Sequence, residues 1–183
     1  VRAAVDAAAL ALDGIDILVN NAGGNSFSTP MANMRFSGWQ KTFSLNVESI
    51  VHACQAASPH LQAANSASVI NVSSVASLAG TPFMSHYGAA KAAVSSLTKS
   101  LAIEWAHAGV RVNALVPGWI ETDLTDFLRV DDSTETSLLS RVPMQRWGMA
   151  HEIAEPAVFL ASDASSFMTG QQLIVDGGLS VMP

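Results

Sequence analysis

The sequence predicts an α/β protein built on an open parallel sheet with flanking helices, and three observations carry that prediction. Four short runs, IDILV (15–19), SVINV (68–72), RVNALV (111–116) and QLIVD (172–176), are rich in β-branched residues and bounded by turn formers. Runs that are apolar at successive positions read as strands buried on both faces, as in parallel sheets. Between the runs, apolar residues recur at helical spacing. Trp39, Phe43, Val47, Ile50, Val51 and Cys54 do so within residues 37–57, and Tyr87, Ala90, Lys91, Val94, Leu97, Leu101 and Trp105 within 87–106. Strand and helix alternate along the chain, which with right-handed crossovers makes one sheet.

The remaining segments fit around this frame. VRAAVDAAALALDG (1–14) carries Asp6 and Asp13, and alanine where a signal peptide would be leucine-rich, so it reads as an amphipathic helix. A shorter helix is expected over 151–161, where Pro156 offers no amide to the Glu152 carbonyl and predicts a kink. The polar, β-poor segment 120–143, IETDLTDFLRVDDSTETSLLSRVP, follows the third strand. Ligands of open α/β sheets bind beyond the carboxyl ends of the strands, so this insertion is expected to be a substrate lid. Residues 1–183 read as a single domain without repeats or linkers.

Composition narrows the function. Hydrophobic residues make up 49% and charged residues 13%, so most of the chain should be buried. A formal charge of −6 without a Lys/Arg cluster argues against a nucleic-acid partner. No apolar run reaches the roughly 18 residues of a membrane span. The single cysteine, Cys54, excludes a disulfide framework and a Cys-based zinc site, and suits a cytoplasmic location. The histidines at 52, 60, 86, 107 and 151 have no metal-ligand spacing, so no metal is expected. The chain begins with valine, which suggests a native start lying upstream or removed.

Three predicted strands end in polar or turn-forming residues: NNAG (20–23), Ser73-Ser74, and Pro117-Gly118. Each alone is an ordinary turn, cap or strand terminator. Together they fall on one edge of one sheet, where such folds do their chemistry. SHYGAAKAAV (85–94) adds a phenol and an ammonium four residues apart, and so on one face of a helix.

With these residues in place, the sequence resembles the classical branch of the short-chain dehydrogenase/reductase family. The matches run in order: NNAG at 20–23, Asn46 in LNV, INVSS ending at Ser74, YGAAK at 87–91, VRVNALVPGWIET at 110–122 and TGQQLIVDGG at 169–178. Ser74 precedes Tyr87 by thirteen residues, the family's usual spacing. The resemblance implies a Rossmann-like sheet and hydride transfer between NAD or NADP and a ketone or secondary alcohol, of 3-oxoacyl thioester or sugar/polyol type. Tyr87 would be the acid/base. A free phenol titrates near ~10, so work near neutrality asks for a shift of roughly three units, about 4 kcal/mol. Lys91 would supply it by charge and hold the nicotinamide ribose. Ser74 would bond the substrate oxygen, and Asn46 would hold a water linking Lys91 to solvent.

The match also implies Asn21, Ala22 and Gly23 beside the adenosine ribose, and Pro117, Gly118, Ile120 and Thr122 along the nicotinamide. His86 reads as a partly buried structural histidine in preference to a substrate contact, and Asp176 as a structural turn residue. A homodimer or homotetramer is expected through the two long helices.

The family's glycine-rich phosphate turn is absent, since no G-x-G occurs in these residues. By comparison with the family, the N-terminal strands are missing from this chain, and with them the residue that chooses NAD or NADP. The residues are therefore expected to be part of a longer native chain, to bind the dinucleotide weakly, and to leave the IDILV edge uncovered. The alternatives are a truncated, catalytically impaired oligomer or binding subunit, or a serine hydrolase. Against the hydrolase stand the lack of G-x-S-x-G and of S-x-x-K.

Overall fold

The computed structural model describes residues 1–123, 125–129 and 131–182, with ten principal elements. They are α1 (Arg2–Leu12), β1 (Ile17–Asn20), α2 (Phe36–Phe43), α3 (Ser49–Ala63), β2 (Ala67–Val72), α4 (Ser85–Trp105), β3 (Val110–Pro117), α5 (Asp132–Leu139), α6 (Ala150–Ala161) and β4 (Gln172–Val175). The strands form one sheet of order β1-β2-β3-β4, every pair parallel. Because all four run the same way, Asn20, Val72, Pro117 and Val175 end at one edge.

Alternation along β2 and β3 divides the core. Ala67, Val69, Val110 and Val112 face α3 and α4, meeting Ile50, Cys54, Ala57, Leu61, Val94 and Ala102. Ile70 and Leu115 point the other way, onto Leu160 of α6. Each such buried Leu or Ile contributes roughly 1.5–3 kcal/mol, so neither face could be left bare. Covering the second face changes the topology. The connection through α6 steps across the sheet in the same direction as those through α3 and α4, yet lays its helix on the opposite face. The three crossovers therefore do not share one hand, against the expectation of uniformly right-handed ones. The stretch from β3 to β4 spans residues 118–171, long enough to escape the constraint that tight crossovers obey.

The expected helix over 37–57 is longer and interrupted. It runs from Phe36 to Ala63, with a π-helical turn at Ser44–Glu48 between α2 and α3. Two prolines lie inside helices, Pro156 in α6 as anticipated and Pro59 in α3. At the sheet's end β1 pairs only with β2, and Ile17 and Val19 are 51% and 49% exposed. Among the described residues no helix is long and apolar enough to cross a membrane.

Polar side chains pin the layers together. Arg111 is buried, and its guanidinium donates to the Leu160 carbonyl (2.9 Å), Ser165 Oγ (2.7 Å) and the Ser162 carbonyl (3.2 Å) at the carboxyl end of α6. A cation there completes the helix's last carbonyls and opposes the negative end of its dipole. Asn113 bonds Gln171 N and the Met168 carbonyl, which sets β4 beside β3. Replacing Arg111 by Met removes the donor to the Ala161 carbonyl and one donor each from the Leu160 and Ser162 carbonyls, which keep Ser68 Oγ and Ser165 N. A loss of about 2 kcal/mol, or ~5 °C in Tm, is expected by denaturant and thermal unfolding. A Tm unchanged within a degree would show that the remaining donors suffice.

Candidate active site

The carboxyl edge of the sheet brings together the residues that the sequence had spread over a hundred positions. Asn20, the last residue of β1, is buried and structural. Its Nδ2 donates to Asn71 Oδ1 on β2 (2.8 Å), and Asn71 in turn donates to Thr98 Oγ1 on α4 (2.9 Å). Asn21, Ala22 and Gly23 follow it into solvent at the edge.

The Ser73-Ser74 pair divides. Ser73 is buried, with Oγ 3.0 Å from both the Lys91 carbonyl and Ser95 Oγ, and so fastens α4 to the end of β2. Ser74 is half-buried, and its Oγ accepts from Ala76 N at 3.2 Å while lying beside Tyr87. Gly88 lets α4 come this close. A Cβ there would stand 2.3 Å from Thr81 Oγ1 and 3.1 Å from the Ala76 carbonyl.

Lys91 is 3% exposed. Its Nζ donates to the Val72 carbonyl at 2.9 Å and lies 5.8 Å from the centre of the Tyr87 ring. One of three ammonium donors is thus spent on protein, and two remain at the edge. Burial lowers the Lys91 pKa to about 8. Burial also pushes the Tyr87 phenol above its ordinary value, and the Ser74 hydroxyl only partly offsets this. Desolvation of the tyrosinate leads among the causes of this shift, and Lys91 does not figure among them.

Asn46 has a structural role beside the one expected of it. It is fully buried in the π-turn, and both Nδ2 protons are used, on the carbonyls of Gly24 and Thr42 (2.9 Å each), while Oδ1 accepts from Gly24 N (3.0 Å). The amide grips the main chain after NNAG, which leaves one lone pair of Oδ1 for a water. A Cβ on Gly23 would sit 2.8 Å from that oxygen and 3.1 Å from Lys91 Nζ, so this glycine is required by close approach.

From β3, Pro117, Gly118 and Ile120 are half-buried at the edge and Thr122 is exposed. Gly118 donates to the Val175 carbonyl, and a Cβ there would lie 2.7 Å from Asp176 Cα. Asp176 accepts from Gly178 N and Ser180 N, the turn role anticipated for it. Beyond Ile120, the insertion contains α5, capped by Asp131 and tied down where Glu135 Oε1 accepts from Trp147 Nε1 (2.6 Å). A cavity of about 500 Å³ opens beside Gly24, Phe27, Arg35 and Lys41, but Ser74, Tyr87 and Lys91 are not in its walls. His86 is fully buried, not partly. Its bonds, and those of Arg111 and Asn113, carried no signal in the sequence beyond polarity inside apolar runs.

Known proteins resemble the chain along most of its length. A family model described as enoyl-(acyl carrier protein) reductase matches residues 1–180. The chain is 43% identical over 166 residues to a 3-oxoacyl-[acyl-carrier-protein] reductase of Chlamydia pneumoniae, covering 91% of this chain and 66% of that protein. It is 38% identical over 167 residues to gluconate 5-dehydrogenase of Gluconobacter oxydans, covering 91% and 65%. Among solved structures, a gluconate 5-dehydrogenase from Burkholderia cenocepacia in complex with NADP and tartrate superposes with a TM-score of 0.95. It is 38% identical, and the match covers all of this chain and 71% of that one. The parallel sheet and its flanking helices define a Rossmann-like α/β domain. The chain belongs to the short-chain dehydrogenase/reductase family. It spans about two thirds of the length of the curated relatives it matches.

The buried ammonium makes a stability prediction. Between pH 8 and 10.5 the unfolded chain holds the Lys91 proton and the folded chain does not, so stability rises with pH in that window. From pH 7 to 9.5 the native protein should gain about 2 kcal/mol relative to Lys91→Met, measured by denaturant unfolding. Parallel pH responses of the two proteins would contradict the burial of the charge.

Proposed function

We propose that the protein is an NAD(P)-dependent oxidoreductase interconverting a ketone and a secondary alcohol. The observation that carries this reading is the meeting of Tyr87, Ser74 and a buried Lys91 at the carboxyl edge of a parallel sheet. In this reading Tyr87 gives its Oη proton to the substrate oxygen in reduction and takes it back in oxidation. Ser74 Oγ, beside the phenol, steadies that oxygen. Lys91 favours the tyrosinate at the moment the proton leaves, when the charge it faces has just formed. Asn46 holds the Gly24 main chain, and its remaining lone pair is the place for a water on the path from Lys91 to solvent.

The residues present fit the nicotinamide half of the cofactor. The two unspent Lys91 donors match the hydroxyls of a ribose, and the exposed Asn21–Gly23 main chain suits the adenosine ribose. Pro117, Gly118, Ile120 and Thr122 would flank the nicotinamide. NAD(P), when bound, supplies or takes up the hydride. The glycine turn that would take the pyrophosphate is not among these 183 residues. NADP in the Burkholderia relative supports the assignment, and the relatives' names point to 3-oxoacyl thioesters or sugar acids as substrate classes. Residues 120–143 would act as the substrate lid of a single, partial domain. A cytoplasmic homodimer or homotetramer fits the buried, unpaired Cys54 and the exposed apolar Ile103 of α4.

Tyr87→Phe in the native-length protein is expected to lower turnover by at least about a hundredfold with the circular dichroism unchanged, because the proton donor is lost. Turnover within a few-fold of wild type would assign the proton to another group.

A further inference from the structure

His86 stands immediately before Tyr87 on the first turn of α4 and is completely buried. Its Nε2 lies 2.9 Å from Asn25 Oδ1, and its ring stacks on Phe27 with centroids 4.2 Å apart and planes 15° from parallel. Nδ1 is also buried and makes no hydrogen bond among the described residues. Burial holds the imidazole below its ordinary pKa, with the Phe27 main chain offsetting part of the effect, so the ring is neutral at pH 7. The tautomer that satisfies the pair has Nε2–H donating to Asn25.

A buried ring with one unpartnered nitrogen is a poor space-filler, since an apolar side chain would carry no desolvation penalty. What the imidazole provides is a tie between elements. Asn25 and Phe27 belong to the segment from β1 to α2, directly after NNAG. The Phe27 ring also lies against Gly38 of α2, where a Cβ would come 2.9 Å from Cζ. A second tie runs from Thr29 N to the Phe83 carbonyl at 2.8 Å, and Phe83 holds φ +64°, a left-handed conformation that bulky residues adopt only when the surroundings impose it. Asn46 holds the same segment at Gly24. The turn that carries Tyr87 and the segment 24–29 are thus joined through Asn25, Phe27 and Thr29.

We propose that His86 is a positioning residue, which through Asn25 and Phe27 fixes the 24–29 segment as a wall of the substrate site beside Tyr87. The proposal rests on the oxidoreductase reading, and its effect falls on substrate binding more than on the chemical step. In the native-length protein, His86→Phe keeps the stack and removes the donor, Asn25→Ala removes the acceptor, and His86→Gln returns an N–H near the Nε2 position. Each of the first two is expected to raise KM for the carbonyl substrate about fivefold or more with kcat within about twofold, and their double variant should be no worse than either. His86→Gln should recover most of the loss, and amides 25–29 should exchange faster in His86→Phe and Asn25→Ala alike. An unchanged KM, additive losses, or a loss confined to kcat overturns the proposal. A wild type that turns over no ketone with NADH or NADPH overturns the oxidoreductase reading instead. Amide exchange then decides the clamp alone, and unchanged protection of residues 25–29 in His86→Phe overturns it.

Discussion

One buried ammonium organises the edge of the sheet. Lys91 is withdrawn from water beneath the end of β2 and held there by the Val72 carbonyl, and the surrounding motifs read as conditions for that placement. Gly23 must lack a side chain because Lys91 Nζ and Asn46 Oδ1 converge on the space a Cβ would fill. Gly88 must lack one so that α4 can lie against the turn after β2. Ser73 bonds the Lys91 main chain, so helix and strand are joined at the residue whose side chain is buried. Burial of a charge opposes folding, so the placement of Lys91 costs stability that the surrounding contacts offset.

The same economy appears in the strands. β2 and β3 look continuously apolar, yet each carries polar residues that sit wholly inside. Asn71 links Asn20 to Thr98 on the face of α4, and Ser68 and Arg111 both reach the Leu160 carbonyl on the face of α6. A parallel sheet covered on both faces has no solvent side on which to place such groups, so each is paired. Their positions alternate with the pleat, and the partners come from opposite layers. The helix that closes the second face is thus held by hydrogen bonds to strand side chains as well as by Ile70 and Leu115.

The π-turn at Ser44–Glu48 has a related cause. An uninterrupted α-helix would carry Asn46 around the axis at a fixed 100° per residue, whereas the wider turn alters its direction locally. The amide so placed reaches the main chain of Gly24 twice and Thr42 once. A buried amide, a helix irregularity and the loop after NNAG are one feature.

The sequence by itself determined the four strands, the long helices and the family, and singled out Asn46, Ser74, Tyr87 and Lys91 as candidates, because these depend on local period and on fixed spacings along the chain. Resemblance to the family also led to the expectation of an uncovered edge at IDILV, where Ile17 and Val19 are half-exposed. Only the tertiary structure decided which face α6 covers, that one serine of the pair is a fastener and the other lies beside the phenol, and that Asn46 spends its amide on a loop. It alone decided that burial raises the Tyr87 phenol, and that His86 joins α4 to Asn25 and Phe27. These outcomes turn on distances between residues far apart in the chain, from 18 positions for Ser73 and Lys91 to 92 for Ser68 and Leu160, and on how much water the packed chain excludes from them. Neither quantity is a property of any short stretch of sequence.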